Sequence, residues 1–141
     1  MIIKKLIIYY LFTFTIMGFC LNPTIAIDFN SYITLLRSMN EINYIFGKIR
    51  NNENINKKEK NEVIRYELFY VKNSLKYLTS IQPPQEQKQI HKFLIQAEKY
   101  RQEYLELLLA NKIKEAELTN IKMIKEAQKV RIKIPDNKKS K

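Results

Sequence analysis

Glycine and proline are scarce enough in this chain to decide its fold class. Its 141 residues hold two glycines, Gly18 and Gly47, and four prolines, Pro23, Pro83, Pro84 and Pro135. Strand-rich folds reverse direction every few residues and need such punctuation at most reversals. The sequence therefore predicts an all-α protein, and the spacing of apolar residues has to locate its helices.

Over residues 29–49, Phe29, Tyr32, Leu36, Met39, Ile42, Phe46 and Ile49 step by three or four, which places them on one helical face. Asp28 suits the N-cap, and Gly47 followed by Asn51-Asn52-Glu53-Asn54 marks the stop. Ile64, Leu68, Val71, Leu75 and Leu78 form a second, narrow seam, with Asn56 and Glu59 spaced as an imperfect capping box. Pro83-Pro84 interrupts the pattern, because proline lacks the amide an interior turn needs and disfavours helix in the residue before it. The same ring suits a first helical turn, where Glu86 also favours the helix dipole. A third stripe follows, Phe93, Ala97, Tyr100, Tyr104 and Leu107, flanked by Ile90, Leu94, Leu105 and Leu108. The last, Ile113, Ala116, Asn120, Met123, Ala127 and Val130, is out of phase with the third. That mismatch predicts a break near residues 110–112; the alternative is one helix from 84 to about 132. Stripes joined by short polar links predict an up-down bundle of three to four antiparallel helices.

Ahead of the bundle stands an export signal. Lys4 and Lys5 precede an uncharged run over residues 6–21, and Thr24-Ile25-Ala26 offers small residues at −3 and −1 of a cleavage site between Ala26 and Ile27. The expected organisation is a signal peptide over 1–26, a bundle domain over 27–132 and a basic disordered tail over 133–141. An uncleaved membrane anchor is the alternative, because the run continued to Ile27 reaches 22 residues and about 20 span a bilayer. Acylation of Cys20 meets an obstacle at Phe19, where a lipobox wants a small residue. Cys20 is the only cysteine, so a chain cut after Ala26 has no thiol chemistry.

The remaining reactive side chains argue against catalysis. His91 is the single histidine, and a zinc site commonly draws on several His, Cys or carboxylate ligands. Its expected role is structural, bonded to a neighbouring helix or loop at one end of the bundle. The serines share that one potential base, and none sits in a tight glycine turn. Glu98, Glu103 and Glu106 read as a solvated face, with Glu98 paired to Arg101 and Lys99 to Glu103. No catalytic residue, cofactor or metal is expected, and the chain is not read as an enzyme.

Two features suit binding instead. The segment Tyr66-Glu67-Leu68-Phe69-Tyr70-Val71 is apolar on more than one side of its helix, which makes Tyr66, Phe69 and Tyr70 candidates for a central packing position or a partner face. The chain carries 25 basic and 14 acidic side chains, and its excess gathers at the end. Lys122, Lys125, Lys129, Arg131, Lys133, Lys138, Lys139 and Lys141 face only Glu126 and Asp136 there. These eight are candidate polyanion contacts, to anionic lipid or a cell-wall polyanion; the bland reading is a solubilising tail. Nucleic acid is not an expected partner of an exported chain.

Pro83, Pro84, Glu86, His91, Ala97 and Tyr100, with apolar Leu94 and Ile95 between them, resemble a recurrent pattern in small uncharacterised bacterial secreted proteins and lipoproteins built as helical bundles. The likeness covers residues 81–109 and the helix after them, and it implies an envelope location and helical hairpins. The expected function is that of an exported, non-enzymatic bundle acting by binding at the cell envelope or outside it, with a protein partner or a second copy of itself. A structural accessory subunit on the non-cytoplasmic side of a membrane complex is the alternative. A cytoplasmic nucleic-acid binder would require the leader not to act as an address.

Overall fold

A computed structural model describes residues 25–131 of the chain. Residues 1–24 of the expected leader over 1–26, with Cys20, and residues 132–141, with the expected tail, lie outside the described residues. Among the described residues the protein is an all-α bundle of four helices, α1 (Phe29–Arg50), α2 (Lys57–Ser80), α3 (Lys88–Leu109) and α4 (Ile113–Arg131).

Local chemistry sets the helix ends. Asp28 caps α1, its Oδ1 accepting the Ser31 amide at 3.0 Å and its Oδ2 the Ser31 hydroxyl at 2.6 Å. Gly47 lies inside the helix, which runs on to Arg50 before the asparagine-rich connection stops it. The capping box of α2 is complete: Asn56 Oδ1 accepts the Glu59 amide at 3.0 Å, and Glu59 Oε2 accepts the Asn56 amide at 2.9 Å. Pro84 precedes a short 3₁₀ turn, Gln85–Gln87, so the first turn of α3 starts later than the proline suggests.

The predicted break between the third and fourth stripes is a tight reversal. Asn111 adopts the left-handed conformation with φ 58°. Its amide donates to the Leu108 carbonyl at 3.1 Å and the Lys112 amide to the Leu107 carbonyl at 2.9 Å. That pair of bonds closes the end of α3 in a Schellman motif, with asparagine in the place glycine usually takes.

One pairing has no counterpart in the periodicity. Ile25–Ala26 (β1) lies parallel to Ile81–Gln82 (β2), in the register Ile25 with Ile81 and Ala26 with Gln82. Ile27 extends it by donating its amide to the Gln82 carbonyl at 3.2 Å. The pairing ties the start of α1 to the Pro83-Pro84 turn.

Two apolar clusters fill the interior. Tyr32, Leu36, Met39, Leu78, Ile90, Leu94 and Val130 form one, and Ile42, Phe46, Val63, Ile64, Tyr70, Val71 and Leu105 the other. The first joins the start of α1, the end of α2, the start of α3 and the end of α4, so consecutive helices run antiparallel. Between the clusters each of the three inner helices contributes polar groups: Asn43 from α1, Ser74 from α2, Glu98 and Arg101 from α3.

The buried face of α3 corrects the expected stripe. Ile90, His91, Leu94, Ala97, Glu98, Arg101 and Leu105 are buried, whereas Phe93, Tyr100, Tyr104 and Leu107 are half-buried at its edge. Glu98 and Arg101 do lie close to each other, but inside the bundle rather than on a solvated face; Glu103 and Glu106 are exposed. In α4, Ala116 and Val130 are buried and Asn120, Met123 and Ala127 half-buried, as the stripe predicts, while Ile113 at the helix start is exposed.

Candidate functional site

The buried polar groups are candidates for chemistry, and their partners define what they do. His91 sits on α3 facing Tyr32 of α1. Its Nε2 lies 2.9 Å from the Leu78 carbonyl, which can only accept, so Nε2 carries the proton and Nδ1 accepts the Tyr32 hydroxyl at 3.0 Å. Burial lowers the pKa of the imidazole, against a smaller opposing effect of the Leu78 carbonyl, and burial raises that of the Tyr32 phenol. A neutral ring engaged at both nitrogens links three helices, which matches the structural role expected of it.

Glu67 of α2, fully buried, is held by two arginines. Arg101 donates from Nε at 3.0 Å and approaches from Nη2 at 2.9 Å, both to Oε1, and Arg50 Nη1 binds Oε2. Arg101 Nη2 also donates to the Asn43 carbonyl at 3.3 Å. Glu98 is placed differently. Its Oε1 accepts Asn43 Nδ2 at 3.2 Å and lies 3.8 Å from Arg101 Nη1, while its Oε2 is buried with no hydrogen-bond partner among the described residues. Burial raises its pKa; Arg101 and Asn43 act against that rise, and the Glu67 charge adds to it. Among the described residues no group of three or more His, Cys, Asp or Glu side chains is placed to hold a metal ion.

The outer faces carry the binding candidates. Of the three aromatic residues singled out on α2, Tyr70 belongs to the core at 5 % exposure, packed with its ring centroid 5.9 Å from that of Phe46. Of the two places expected for it, Tyr70 takes the central packing position and not the partner face. Phe69 and Tyr66 are exposed, Phe69 at 57 %, and remain available on the outer side of the helix.

The basic cluster divides as well. Lys122 lies over the Tyr100 ring at 5.9 Å and Lys129 over the Phe93 ring at 5.0 Å, so both lean along the seam between α3 and α4. Lys129 also pairs with Glu126 at 2.6 Å. Lys125 is exposed on the outer side. Arg131 ends α4, and Lys133, Lys138, Lys139 and Lys141 lie outside the described residues.

Periodicity alone did not isolate a second apolar face on α4. Leu118, Ile121 and Ile124 are exposed there, opposite the stripe that meets α3. The signal was available: each is an aliphatic residue out of phase with Ala116, Met123 and Val130. At the other end of the chain, Ala26 is exposed and backbone-paired, and Ile27 is half-buried against the first cluster.

Comparison of the chain with protein-family models, with curated proteins and with solved structures returns no match. No helix among the described residues is long and apolar enough to cross a membrane.

Proposed function

We propose that this protein is an exported, non-enzymatic helical bundle that acts by binding at the cell envelope or outside it. The observation that carries the reading is where the reactive groups and the apolar groups have gone. His91 and Glu67 are engaged within the fold, whereas Tyr66 and Phe69 on α2 and Leu118, Ile121 and Ile124 on α4 face outward. Such a surface suits contact with other molecules. The basic leader followed by an uncharged run and Thr24-Ile25-Ala26 supports the location, as does the likeness of the Pro83-to-Tyr100 pattern to secreted bundle proteins.

Fractionation followed by cross-linking tests the reading. The expected result is protein on the non-cytoplasmic side, with an intact mass that begins at Ile27, or with residues 1–26 retained if they serve as an anchor. Intact chain found soluble in the cytosol would remove the proposal. The exposed pair Tyr66 and Phe69 also favours a second reading, a structural accessory subunit docked on a membrane complex. Co-purification with one defined complex after mild detergent extraction, lost in Phe69→Ser, separates the two.

A further inference from the structure

Helix α4 is amphipathic twice. Its inner stripe, Ala116, Thr119, Met123, Ala127 and Val130, is taken up in packing, chiefly against α3. At about 100° per residue, Ile121 lies about 160° around the helix from Met123, with Leu118 and Ile124 one turn to either side. Their exposures are 62 % for Leu118, 51 % for Ile121 and 43 % for Ile124, so three neighbouring aliphatic side chains stand in water. Lys125 falls within the same arc and Lys122 and Lys129 along its edge; Glu117 is the acid inside it, toward the start of the helix.

We propose that this face is a lipid-contact surface. Helix α4 lies in the interfacial layer of a bilayer bearing anionic headgroups, with Leu118, Ile121 and Ile124 below headgroup level and Lys125 among the phosphates. The inference rests on the envelope reading above and names lipid as what α4 touches there.

Three observations select lipid over a protein partner. The apolar residues of the face are all aliphatic, whereas the centres of protein interfaces are enriched in aromatic residues and arginine. The cations inside its arc, Lys114 and Lys125, are lysines, whose long stems let the ammonium reach the headgroups while the methylenes stay in apolar surroundings. Positive charge rises along the helix and continues past it: Glu115 and Glu117 stand near its start, and from Lys122 to Lys141 there are eight basic residues against two acids. An apolar stripe joined to a polybasic stretch supplies the two attractions that stable peripheral attachment needs.

The chain has no tryptophan, so Ile121→Trp places a single emitter on this face of the full-length protein. Phe69→Trp gives a matched control on the exposed side of α2, and Leu118→Trp is a second reporter should the first fail to fold. Each is added to phosphatidylcholine vesicles and to mixed phosphatidylcholine and phosphatidylglycerol vesicles, with and without brominated acyl chains. The expected result is emission from position 121 or 118 that shifts to the blue and is quenched by brominated lipid in the anionic vesicles. Emission from position 69 should not change. Adding Leu118→Ser and Ile124→Ser to the Ile121 reporter should weaken its lipid contact by about tenfold or more, with helical circular dichroism retained.

Vesicle-bound protein with an unquenched reporter at both 121 and 118 would overturn the inference, since another segment then does the binding; the envelope reading would stand. Equal quenching at 121 and 69 would overturn it as unspecific insertion. Self-association that the serine changes abolish, without quenching, would assign the face to a second copy and overturn it too. Fractionation judges the envelope reading separately, whatever the vesicles report.

Discussion

The space between α1, α2 and α3 holds Glu67, Glu98 and Arg101 away from water, while the outer side of α4 holds Leu118, Ile121 and Ile124 in it. Both arrangements depart from the usual partition of side chains, and the physics of each differs. Interior charges are tolerable only when each has a partner, so removing one partner leaves the other stranded in a medium that solvates it poorly. Aliphatic side chains left about half in water add little to the stability of the isolated chain, so they can change with little effect on folding. Interior polarity here links three helices through Asn43, Glu67, Glu98 and Arg101, and outer apolarity is surface left in solvent.

The sharpest way to break this contrast is Glu67→Ala. It leaves Arg50 and Arg101 facing each other without the carboxylate that both bind, and should lower the unfolding free energy by about 3–5 kcal/mol in urea titrations. A loss below about 1 kcal/mol would mean that water reaches the pair. Next comes a comparison within α2: Tyr70→Ser, which empties a core position, should cost about 3 kcal/mol, while Phe69→Ser should stay within about 0.5 kcal/mol of the parent.

Two buried groups then give opposite pH signatures. The folded pKa of His91 lies below its ordinary 6.5, so the unfolded chain takes up this proton first as pH falls. The His91 contribution is therefore complete above 6.5 and is lost on acidification toward the folded value. Glu98 behaves in the reverse sense, because its folded pKa lies above 4.5. Its contribution is present below 4.5 and is lost as pH rises through the folded value, where the carboxyl must ionise in a buried place. Glu98→Gln should therefore melt higher than the parent at neutral pH, with the difference vanishing below 4.5. An equal difference at both pH values would show that the carboxyl does not titrate with folding. Tyr32→Phe, which takes the donor from His91 Nδ1, should cost about 1–2 kcal/mol.

The smallest expected effect lies at the α3–α4 turn. Asn111→Gly relieves the left-handed backbone and should stabilise by about 0.5 kcal/mol, and Asn111→Val should destabilise by about 1–2 kcal/mol. Thermal melts with matched baselines resolve both.

Local chemistry was legible in the sequence because its signals sit a few residues apart. The Asp28 cap, the Asn56 and Glu59 box, the stop at Pro83-Pro84 and the phase change before Ile113 each belong to one short window, and each is present in the fold. The interior of α3 was not legible for the converse reason. Glu98 and Arg101 carry charges that a single helix displays to solvent, and the groups that pull them inward are Glu67, 34 residues before Arg101, and Asn43, 55 residues before Glu98. A hint existed in Glu67 itself, an acid among Ile64, Leu68 and Val71 that needed a distant cation. The pairing of residues 25–26 with 81–82 had no local signal, since two residues are too few to show a period. On the candidate surfaces, spacing located the aromatic excess on α2 but could not divide Tyr70 from Phe69 without knowing where α1 and α3 lie.

The three-residue reversal around Asn111 has a kinetic corollary. Because it folds α4 back onto the helix immediately before it, opening of the last helix as a hinged arm, with the other three shut, is the sub-global event that native-state exchange should test. Amide protons over 113–131 should swap for deuterium together, and sooner than those of Met39, Leu78 and Leu105. A membrane that captures that arm would slow the swap on α4 alone.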